Sequence, residues 1–386
     1  MSDVRECRIA VGAMALQLPR TGIGRYASHL VRGLQARLAH PPALFYGYDW
    51  DDVPRPPAPP APPGAWQGLK QRLPFGYELA RFLQQRAFDA RVRRERFDLY
   101  HEPNFLAQRF AGPTVVTVHD LSWVRHPETH PGERVRAMDK TMPRVVREAT
   151  LLIADSESTR RDVISHYSVA PDRVRTVLLG VTDEFMPMDS VRTRPTLERL
   201  GLEHGRYVLV VGTLEPRKNL VTAIAAYASL PAALQERYPL AIAGMRGWGD
   251  QRLSPQAAAL VAQGRIRLVG FVSDEDLPAT YAGAAVFVYP SLYEGFGLPP
   301  LEAMASGAPV IVSNRSSLPE VVGDAGIQVE ALDAEALATR MRELLEDDAS
   351  RTRLAQAGRE RSRQFTWDRC IDQTLAVYGE AISRSK

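Results

Sequence analysis

The sequence predicts an α/β protein with parallel sheets, and three observations support this fold class. The chain has 386 residues, which is long for one compact core and predicts two domains of ordinary size. Short apolar runs, many of them rich in Val and Ile, recur along the chain in the way that buried parallel strands do. Helical patterns separate most of these runs, and strands that alternate with helices are typical of parallel sheets.

The predicted strands are spread over most of the chain, and no internal repeat of roughly 20–50 residues is visible. They are Ile9–Ala13, Thr114–Val118, Leu151–Ala154, Tyr207–Val211, Leu240–Ala243, Ile266–Leu268, Val286–Tyr289 and Pro309–Val312.

Changes in composition predict where the domains meet. The proline-rich segment Arg55–Pro63 predicts a loop, and the loss of the apolar pattern over Thr182–Pro195 predicts a domain boundary. After Phe365, Thr366 fits the N-cap of a final helix of about fifteen residues, and Asp368 suits its first turn. We therefore expect a first domain at 1–185, a second at 186–365 and a terminal helix at 366–386.

Charge and cysteine content exclude several classes of protein. The net charge of +3 is too small to indicate general nucleic-acid binding. Cys7 and Cys370 stand at opposite ends of the chain, which fits neither a disulfide framework nor a zinc site but does fit a reducing cytosol. The apolar stretch Ile9–Leu18 follows Asp3 and Glu6, which argues against a signal peptide. No apolar run approaches the ~18 residues that span a bilayer, so we expect a cytoplasmic protein.

The strongest motif is Ser291–Glu302, which reads SLYEGFGLPPLE. It follows a predicted strand, and its two prolines suit the first turn of a helix. Gly295 and Gly297 let the backbone approach a ligand closely, and free N–H groups at the helix start can bind a phosphate or a sugar hydroxyl. Glu294 in the loop and Glu302 in the early helix can both accept hydrogen bonds from hydroxyls. The alternative is a solvated acidic turn.

A second motif follows the predicted strand Tyr207–Val211. Gly212 and Thr213 lead into a turn that carries Arg217 and Lys218 before the next helix. Ligands of open α/β sheets bind outside the carboxyl ends of the strands, and these two cations can neutralise a diphosphate. The alternative is a pair of surface bases that cap a turn.

Two further loops follow strands of the first domain. His119 follows Thr114–Val118 and could hydrogen-bond a donor sugar, although a structural role is also open. The loop at Gly22 and Gly24 matches the pattern G-x-G-x-x-A, which would indicate a dinucleotide-binding oxidoreductase. That fingerprint follows its strand immediately, whereas about eight residues intervene here. A glycine loop at a helix start still suits a phosphate or a sugar.

Two segments suggest other ligands. The tripeptide Asp49–Asp51 resembles a metal-binding D-x-D motif, but it lacks a clear strand–turn context, so we expect no metal site. The segment Lys70–Arg96 contains eight Lys and Arg residues against three Asp and Glu, interleaved with Leu and Phe. Such a stretch can lie on anionic lipid, or it can be a solvated helix face that packs on its own domain.

Taken together, these motifs resemble the family-4 retaining glycosyltransferases, which adopt the GT-B fold. The resemblance covers most of the chain and includes the string from Ser317 to Gly323. It implies two Rossmann-like domains that face each other across a cleft. The first would bind the acceptor and the second a nucleotide sugar, and the last helix would cross back to the first domain.

The resemblance also implies roles for individual residues. Glu302 would bind the ribose hydroxyls and Glu294 the donor sugar, while Arg217 and Lys218 would hold the diphosphate. We expect catalytic roles for Glu294, His119, Arg217 and Lys218. The other residues expected to bind substrate are Gly22, Gly24, Gly212, Thr213, Gly295, Phe296, Gly297, Leu298, Leu318, Glu302, Val269 and Phe271, of which Val269 and Phe271 would line the base.

Charge predicts the mechanism. The bond from sugar to phosphate breaks toward an oxocarbenium ion, and the two cations stabilise the departing diphosphate, so neither a divalent metal nor another cofactor is expected. Retention by same-face attack is implied by the resemblance.

The sequence as a whole resembles bacterial mannosyltransferases of surface polysaccharide assembly, and this resemblance favours GDP-mannose as co-substrate. A GDP-deoxyhexose or a UDP-sugar is the alternative donor. A glycan linked to a lipid diphosphate would be the acceptor, and it would suit a basic stretch near an anionic membrane. The competing classes are an epimerase or phosphorylase on the same fold and a degenerate binding module.

Overall fold

The computed structural model describes residues 3–17, 22–55, 76–245 and 254–385. Most of the predicted loop Arg55–Pro63 and the first part of the basic stretch Lys70–Arg96 lie outside these ranges.

Two sheets form the centres of the molecule. The first has the strand order β3-β2-β1-β4-β5-β6-β7 and is parallel except for the edge pair of β2 and β3. Its strands are β1 (Ile9–Gly12), β2 (Ala43–Phe45), β3 (Trp50–Asp51), β4 (Leu99–Glu102), β5 (Thr114–Val118), β6 (Leu151–Ala154) and β7 (Val174–Thr176).

The second sheet is parallel throughout and has the order β10-β9-β8-β11-β12-β13. Its strands are β8 (Val208–Val211), β9 (Leu240–Ala243), β10 (Ile266–Gly270), β11 (Val286–Tyr289), β12 (Val310–Ser313) and β13 (Ile327–Val329).

Helices cover both faces of the sheets, as Rossmann-like domains require. They are α1 (Gly22–Arg37), α2 (Gly76–Val92), α3 (Ser122–Arg125), α4 (Gly132–Glu148), α5 (Glu157–Tyr167), α6 (Ser190–Arg199), α7 (Leu220–Ala228), α8 (Ala232–Arg237), α9 (Pro255–Ala262), α10 (Leu277–Ala282), α11 (Leu298–Ala305), α12 (Leu318–Val322), α13 (Ala334–Glu346), α14 (Asp348–Ser362) and α15 (Trp367–Arg384). Within the described ranges, no helix combines the length and apolar character needed to cross a bilayer.

The direction in which the chain adds strands reverses once in each sheet. The reversal lies between β1 and β4 in the first sheet and between β8 and β11 in the second. At such a point the loops that leave the carboxyl ends of two adjacent strands diverge, and the crevice between them is the usual ligand site of open α/β sheets. Each domain therefore offers one crevice for a ligand.

The last helix, α15, returns to the first sheet. A backbone bridge joins Val181 to Thr366, and the Thr366 side chain accepts a hydrogen bond from the Arg369 N–H at the helix start. The buried side chains Cys370, Ile371, Leu375, Val377, Tyr378 and Ala381 share a core with β1 and α1. The crossing fits the expected terminal helix, while the domain limits 1–185, 186–365 and 366–386 stay predictions.

The structure confirms the predicted α/β fold and extends it. Each predicted strand is present, with ends that differ by at most two residues. The sequence did not predict β2, β3, β4, β7 and β13, because they are short or carry polar residues such as those of β4 and β7. The end of the segment Thr182–Pro195 is helical: α6 begins at Ser190, where the Asp189 side chain accepts from the Arg192 N–H, and Pro195 lies inside this helix. The domain boundary predicted in this segment stays a prediction.

Candidate active site

A carboxylate and two cations meet at the crevice of the second sheet. Glu294 lies in the loop after β11, and Arg217 and Lys218 belong to a 3-10 turn in the loop after β8. The Lys218 ammonium donates to Glu294 Oε1 at 2.7 Å, and Arg217 Nη1 donates to Oε2 at 3.1 Å. Ser291 Oγ also donates to Oε1 at 2.6 Å. The structure therefore brings together two of the predicted motifs at the point where the strand order of the second sheet reverses.

The charges of this cluster support one another in a buried environment. Burial alone would raise the pKa of Glu294, but Arg217 and Lys218 outweigh it and lower that pKa to about 2. Burial acts to lower the pKa of Arg217, yet Glu294 and the nearby carboxylates of Asp120 and Glu215 raise it. Glu294 is thus ionised at neutral pH and holds two cations at the edge of the crevice.

The glycine-rich loop that follows Glu294 is fixed by side-chain hydrogen bonds to its backbone. Ser316 Oγ accepts from the Glu294 N–H at 2.8 Å, and Ser317 Oγ donates to the carbonyl oxygens of Glu294 and Phe296 at 3.0 and 2.6 Å. Gly297 then adopts the left-handed conformation, with φ of 116°, and α11 begins at Leu298 as the two prolines predicted.

Leu318, another predicted binding residue, packs against Gly297, because a Cβ at Gly297 would lie 2.9 Å from Leu318 Cδ2. A Cβ at Gly212 would lie 3.7 Å from the Lys218 side chain. Thr213 follows Gly212 in the same loop, so the predicted motif after β8 stands beside the cation cluster.

The two domains touch at Gly295. Its carbonyl oxygen accepts hydrogen bonds from Ser156 Oγ at 2.6 Å and from Thr159 Oγ1 at 3.1 Å, both at the start of α5. A Cβ on Gly295 would lie only 1.8 Å from the carbonyl oxygen of His119. Glycine is therefore the residue that lets the loop after β11 meet the first domain.

His119 is placed at this contact but does not have a spare ring nitrogen. Nδ1 lies 2.7 Å from Asp155 Oδ2, and Nε2 lies 2.8 Å from the carbonyl oxygen of Pro103. Burial opposes a charge on the ring, but Asp155 raises the pKa of His119, so that an imidazolium satisfies both acceptors. The predicted hydrogen bond from this ring to a donor sugar is not supported by this arrangement. Asp120 accepts from Ser122 and stabilises the loop.

Glu302 lies apart from the cation cluster, buried in the first half of α11. Its carboxylate pairs with Arg25, whose other terminal nitrogen donates to Asp274 at 2.6 Å. Burial raises the pKa of Glu302, and Arg25 opposes that rise. Arg25 directly follows Gly24, and both lie in the first turns of α1, so the predicted glycine loop is helical here and this end of α1 reaches across to α11.

The remaining predicted binding residues are Gly22, Val269 and Phe271. Gly22 begins α1, and a Cβ there would be 3.6 Å from Leu298 Cδ1. Val269 is half-buried and Phe271 is 67% exposed at the carboxyl end of β10, so both can contact a ligand from solvent.

The D-x-D tripeptide occupies an edge strand, contrary to the expectation that it lacks a strand. Trp50–Asp51 forms β3, and Arg55 pairs with both carboxylates, at 3.0 Å from Asp49 and 3.1 Å from Asp51. Within the described ranges, no group of three or more His, Cys, Asp or Glu residues is arranged to hold a metal ion. Asp49 and Asp51 therefore anchor the start of the proline-rich segment.

Several residues of the site were missed by sequence reasoning. They are Tyr289, whose hydroxyl accepts from Lys218 at 2.7 Å, together with Glu215, Arg25 and Asp155. Glu215 and Arg25 stand beside predicted residues in their motifs, and this adjacency was the available signal. Asp155 and Tyr289 lie at strand ends, where the sequence gives no sign that they face the site.

Comparison with known families matches both halves of the chain. Residues 197–361 match the family model described as Glycosyl transferases group 1, and residues 20–185 match the one described as Glycosyltransferase Family 4. The O-antigen chain mannosyltransferase B of Escherichia coli is 37% identical over 377 residues, which cover 96% of this chain and 99% of the relative. The chain belongs to the family 4 glycosyltransferases.

Two solved structures resemble this family 4 glycosyltransferase along nearly its whole length. Sucrose-phosphate synthase from Thermosynechococcus elongatus superposes with a TM-score of 0.73 at 23% identity, covering 98% of this chain and 100% of that one. Anabaena HepE in complex with UDP-glucose gives a TM-score of 0.73 at 18% identity, covering 97% and 100%. At this level of identity the likeness concerns the fold, and it confirms the predicted GT-B arrangement.

We expect Gly295→Ala to destabilise the glycosyltransferase by about 1–3 kcal/mol, because the new Cβ would collide with the His119 carbonyl. Gly295 does not have a positive φ, so the cost would come from this contact and not from backbone strain. Denaturant unfolding followed by circular dichroism measures the loss. Gly379→Ala is the control, since its Cβ would lie 4.0 Å from the nearest side chain. Equal stability of the Gly295 variant and the wild type would contradict the close approach.

Proposed function

We propose that this glycosyltransferase transfers mannose from GDP-mannose to a hydroxyl of a glycan acceptor, in polysaccharide or O-antigen synthesis, with retention of the anomeric configuration. The observation that carries the proposal is the pair of cations, Arg217 and Lys218, held by a carboxylate at the crevice of the second domain. The choice of mannose rests on the Escherichia coli relative, whose name is that of an O-antigen chain mannosyltransferase.

The cation pair fits the chemistry of a departing nucleoside diphosphate. As the bond from the anomeric carbon to the phosphate oxygen breaks, the sugar gains positive charge and the diphosphate gains negative charge. Arg217 and Lys218 are already oriented by Glu294 and are mostly buried, so they can stabilise that negative charge without reorganisation. An interaction that grows as the bond breaks lowers the barrier rather than only tightening binding.

The ribose would lie against Glu302, about one helix turn beyond the start of α11. In our proposal the buried carboxylate of Glu302 accepts hydrogen bonds from the two ribose hydroxyls and at the same time keeps its ion pair with Arg25. Nucleotide binding would then bring a cation of the first domain to the donor. The base would extend toward Val269 and Phe271 at the carboxyl end of β10.

We propose that the configuration is retained because the acceptor attacks the sugar on the same face from which the leaving group departs. Glu294 is engaged by Arg217, Lys218 and Ser291, which makes it a poor covalent nucleophile. The acceptor oxygen would form the new bond to the anomeric carbon, and the leaving phosphate would take the acceptor proton. Because the two cations supply the positive charge, we propose that the reaction needs no divalent metal.

The alternative donors are a GDP-deoxyhexose and a UDP-sugar. The complex of HepE with UDP-glucose favours the second, since that protein shares the fold. We further propose that the enzyme works in the cytoplasm, which suits a chain whose two cysteines stand at opposite ends of the sequence.

The acceptor is proposed to be linked to a lipid, and α2 provides the surface that would meet the membrane. Leu79, Phe82 and Leu83 follow the spacing of one helix face and are about half exposed. The segment after α2 carries three exposed arginines, Arg93, Arg94 and Arg96. Apolar side chains beside cations are the pattern that binds the interface of anionic bilayers.

We expect Arg217→Ala and Lys218→Ala each to lower kcat by about 100-fold or more, because each removes charge that stabilises the leaving diphosphate, worth ~3 kcal/mol. GDP release from GDP-mannose in the presence of a mannose-terminated glycan measures turnover. Arg340→Ala, an exposed cation that pairs with Glu343, is the matched control and should keep full activity.

A thermal-shift series with GDP, UDP and ADP separates binding from chemistry. A ligand that binds only the native state raises its stability, and we expect GDP to raise the melting temperature most. Near-normal turnover of both site variants would place the diphosphate elsewhere. A wild-type protein that no nucleotide stabilises would contradict the proposed function.

We expect the wild type to sediment with vesicles that contain phosphatidylglycerol, and to do so less as salt rises, because screening weakens each cation's attraction. The triple variant Leu79→Ser, Phe82→Ser, Leu83→Ser should lose most of this binding. Val221→Ser with Leu332→Ser, which changes exposed apolar residues of the second domain, is the control. Equal sedimentation of the α2 variant and the wild type would leave α2 as an ordinary solvated helix.

A further inference from the structure

The crevice of the first sheet contains a carboxyl group of its own. Glu102 ends β4 and Gly12 ends β1, the two strands between which the chain order reverses. Val11 pairs with His101, so Gly12 and Glu102 are neighbours across the strand ends. A Cβ on Gly12 would lie 2.3 Å from Glu102 Oε2, so glycine leaves the space that this carboxyl group fills.

Glu102 is only partly satisfied by the residues around it. The Tyr100 hydroxyl donates to Oε2 at 2.7 Å, and the Asn104 N–H donates to Oε1 at 3.1 Å. Each carboxylate oxygen can accept about two hydrogen bonds, so each keeps one unused position. Among the described residues no cation forms an ion pair with Glu102, in contrast to Glu294, which has two.

Glu102 lies on the strand next to the one that leads into the contact between the domains. β4 lies beside β5, with Glu102 paired to Val116, and β5 leads into His119. The carbonyl of His119 contacts Gly295, the residue after Glu294. Each sheet therefore has a carboxylate at the point where its strand order reverses: Glu294 is paired with two cations, and Glu102 has no ion pair among the described residues.

We propose that Glu102 is part of the acceptor subsite and accepts a hydrogen bond from a hydroxyl of the acceptor sugar. The inference rests on the proposed transfer reaction, and it names the side chain of the first domain that positions the acceptor. Sugar hydroxyls need acceptor atoms, and a carboxylate at the ligand crevice of an open α/β sheet supplies them. The bond orients the acceptor; the acceptor proton still leaves with the phosphate.

The environment of Glu102 also gives this subsite a pH dependence. Burial raises the pKa of Glu102 to about 7, against the opposing effects of Tyr100 on β4, the Asn104 backbone, Arg81 on α2 and His119 after β5. The ionised carboxylate accepts hydrogen bonds from hydroxyls on both oxygens, whereas the protonated form offers fewer acceptor positions. Acceptor binding should therefore strengthen as pH rises through about 7.

Steady-state kinetics of Glu102→Gln, with GDP-mannose as donor and methyl α-mannoside as acceptor, tests the proposal. We expect the acceptor KM to rise about tenfold, as for the loss of a hydrogen bond to a charged group. The donor KM, the affinity for GDP and the thermal stability should stay within twofold or a few degrees of wild type. The wild-type acceptor KM should fall between pH 6 and 8, and that of Glu102→Gln should be flat.

Tyr100→Phe separates binding from support of the fold. It removes the hydrogen bond to Glu102 but keeps the carboxyl group, so at pH 8.5 we expect its acceptor KM to be close to that of wild type. Equal effects of the two variants on acceptor KM and stability would show a structural role and overturn the proposal. An unchanged acceptor KM in Glu102→Gln, or a wild type that binds GDP but no mannoside, would also overturn it. Absence of GDP binding would instead contradict the proposed function.

Discussion

The buried ion cluster of Glu294 with Arg217 and Lys218 is the interaction on which the rest of the site depends. A buried carboxylate costs free energy unless it is paired and hydrogen-bonded, and here both conditions are met. The pairing joins the loop after β8 to the loop after β11, which are the two sides of the crevice. The charges that would stabilise a leaving diphosphate are thus fixed before any donor binds.

The same loop sets the relation between the domains. Because Gly295 follows Glu294 directly, the atoms that anchor the charge cluster also touch the His119 carbonyl and accept from Ser156. A second link runs from Arg25 to Glu302, and a third from Glu320, whose carboxylate accepts from the Glu157 N–H at the start of α5. The charge cluster and the contacts between the domains therefore depend on the same few residues after β11 and on α11 and α12.

Much of the fold and part of the site could be predicted from the sequence. Parallel strands buried on both faces read as apolar runs, which is why β1, β5, β6 and the strands β8 to β12 were found. The strand β4 was missed because its residues, Leu-Tyr-His-Glu, are half polar, and the ring of His101 is held by Tyr378, a partner distant in sequence. Glu102 was missed for the same reason.

The motifs around Glu294 and Arg217 were predictable because each is local in sequence and each follows a strand. The contacts between motifs were not. Arg25 and Glu302 are 277 residues apart, and nothing near either residue indicates the other. The ring of His119 was predicted to face a sugar, but Asp155 at the end of the next strand takes one nitrogen and the Pro103 carbonyl takes the other. A strand end indicates where a residue lies, while its partners depend on the tertiary structure.

We propose that two fixed cations, Arg217 and Lys218, support departure of the diphosphate, and that the acceptor attacks the sugar from the face that the diphosphate leaves. Proton NMR of the product formed from GDP-mannose in the presence of EDTA tests both parts in one experiment. The account predicts transfer without added metal and a new glycosidic bond with the same anomeric configuration as the donor. Inversion of that configuration, or transfer that appears only when manganese is restored, would contradict it.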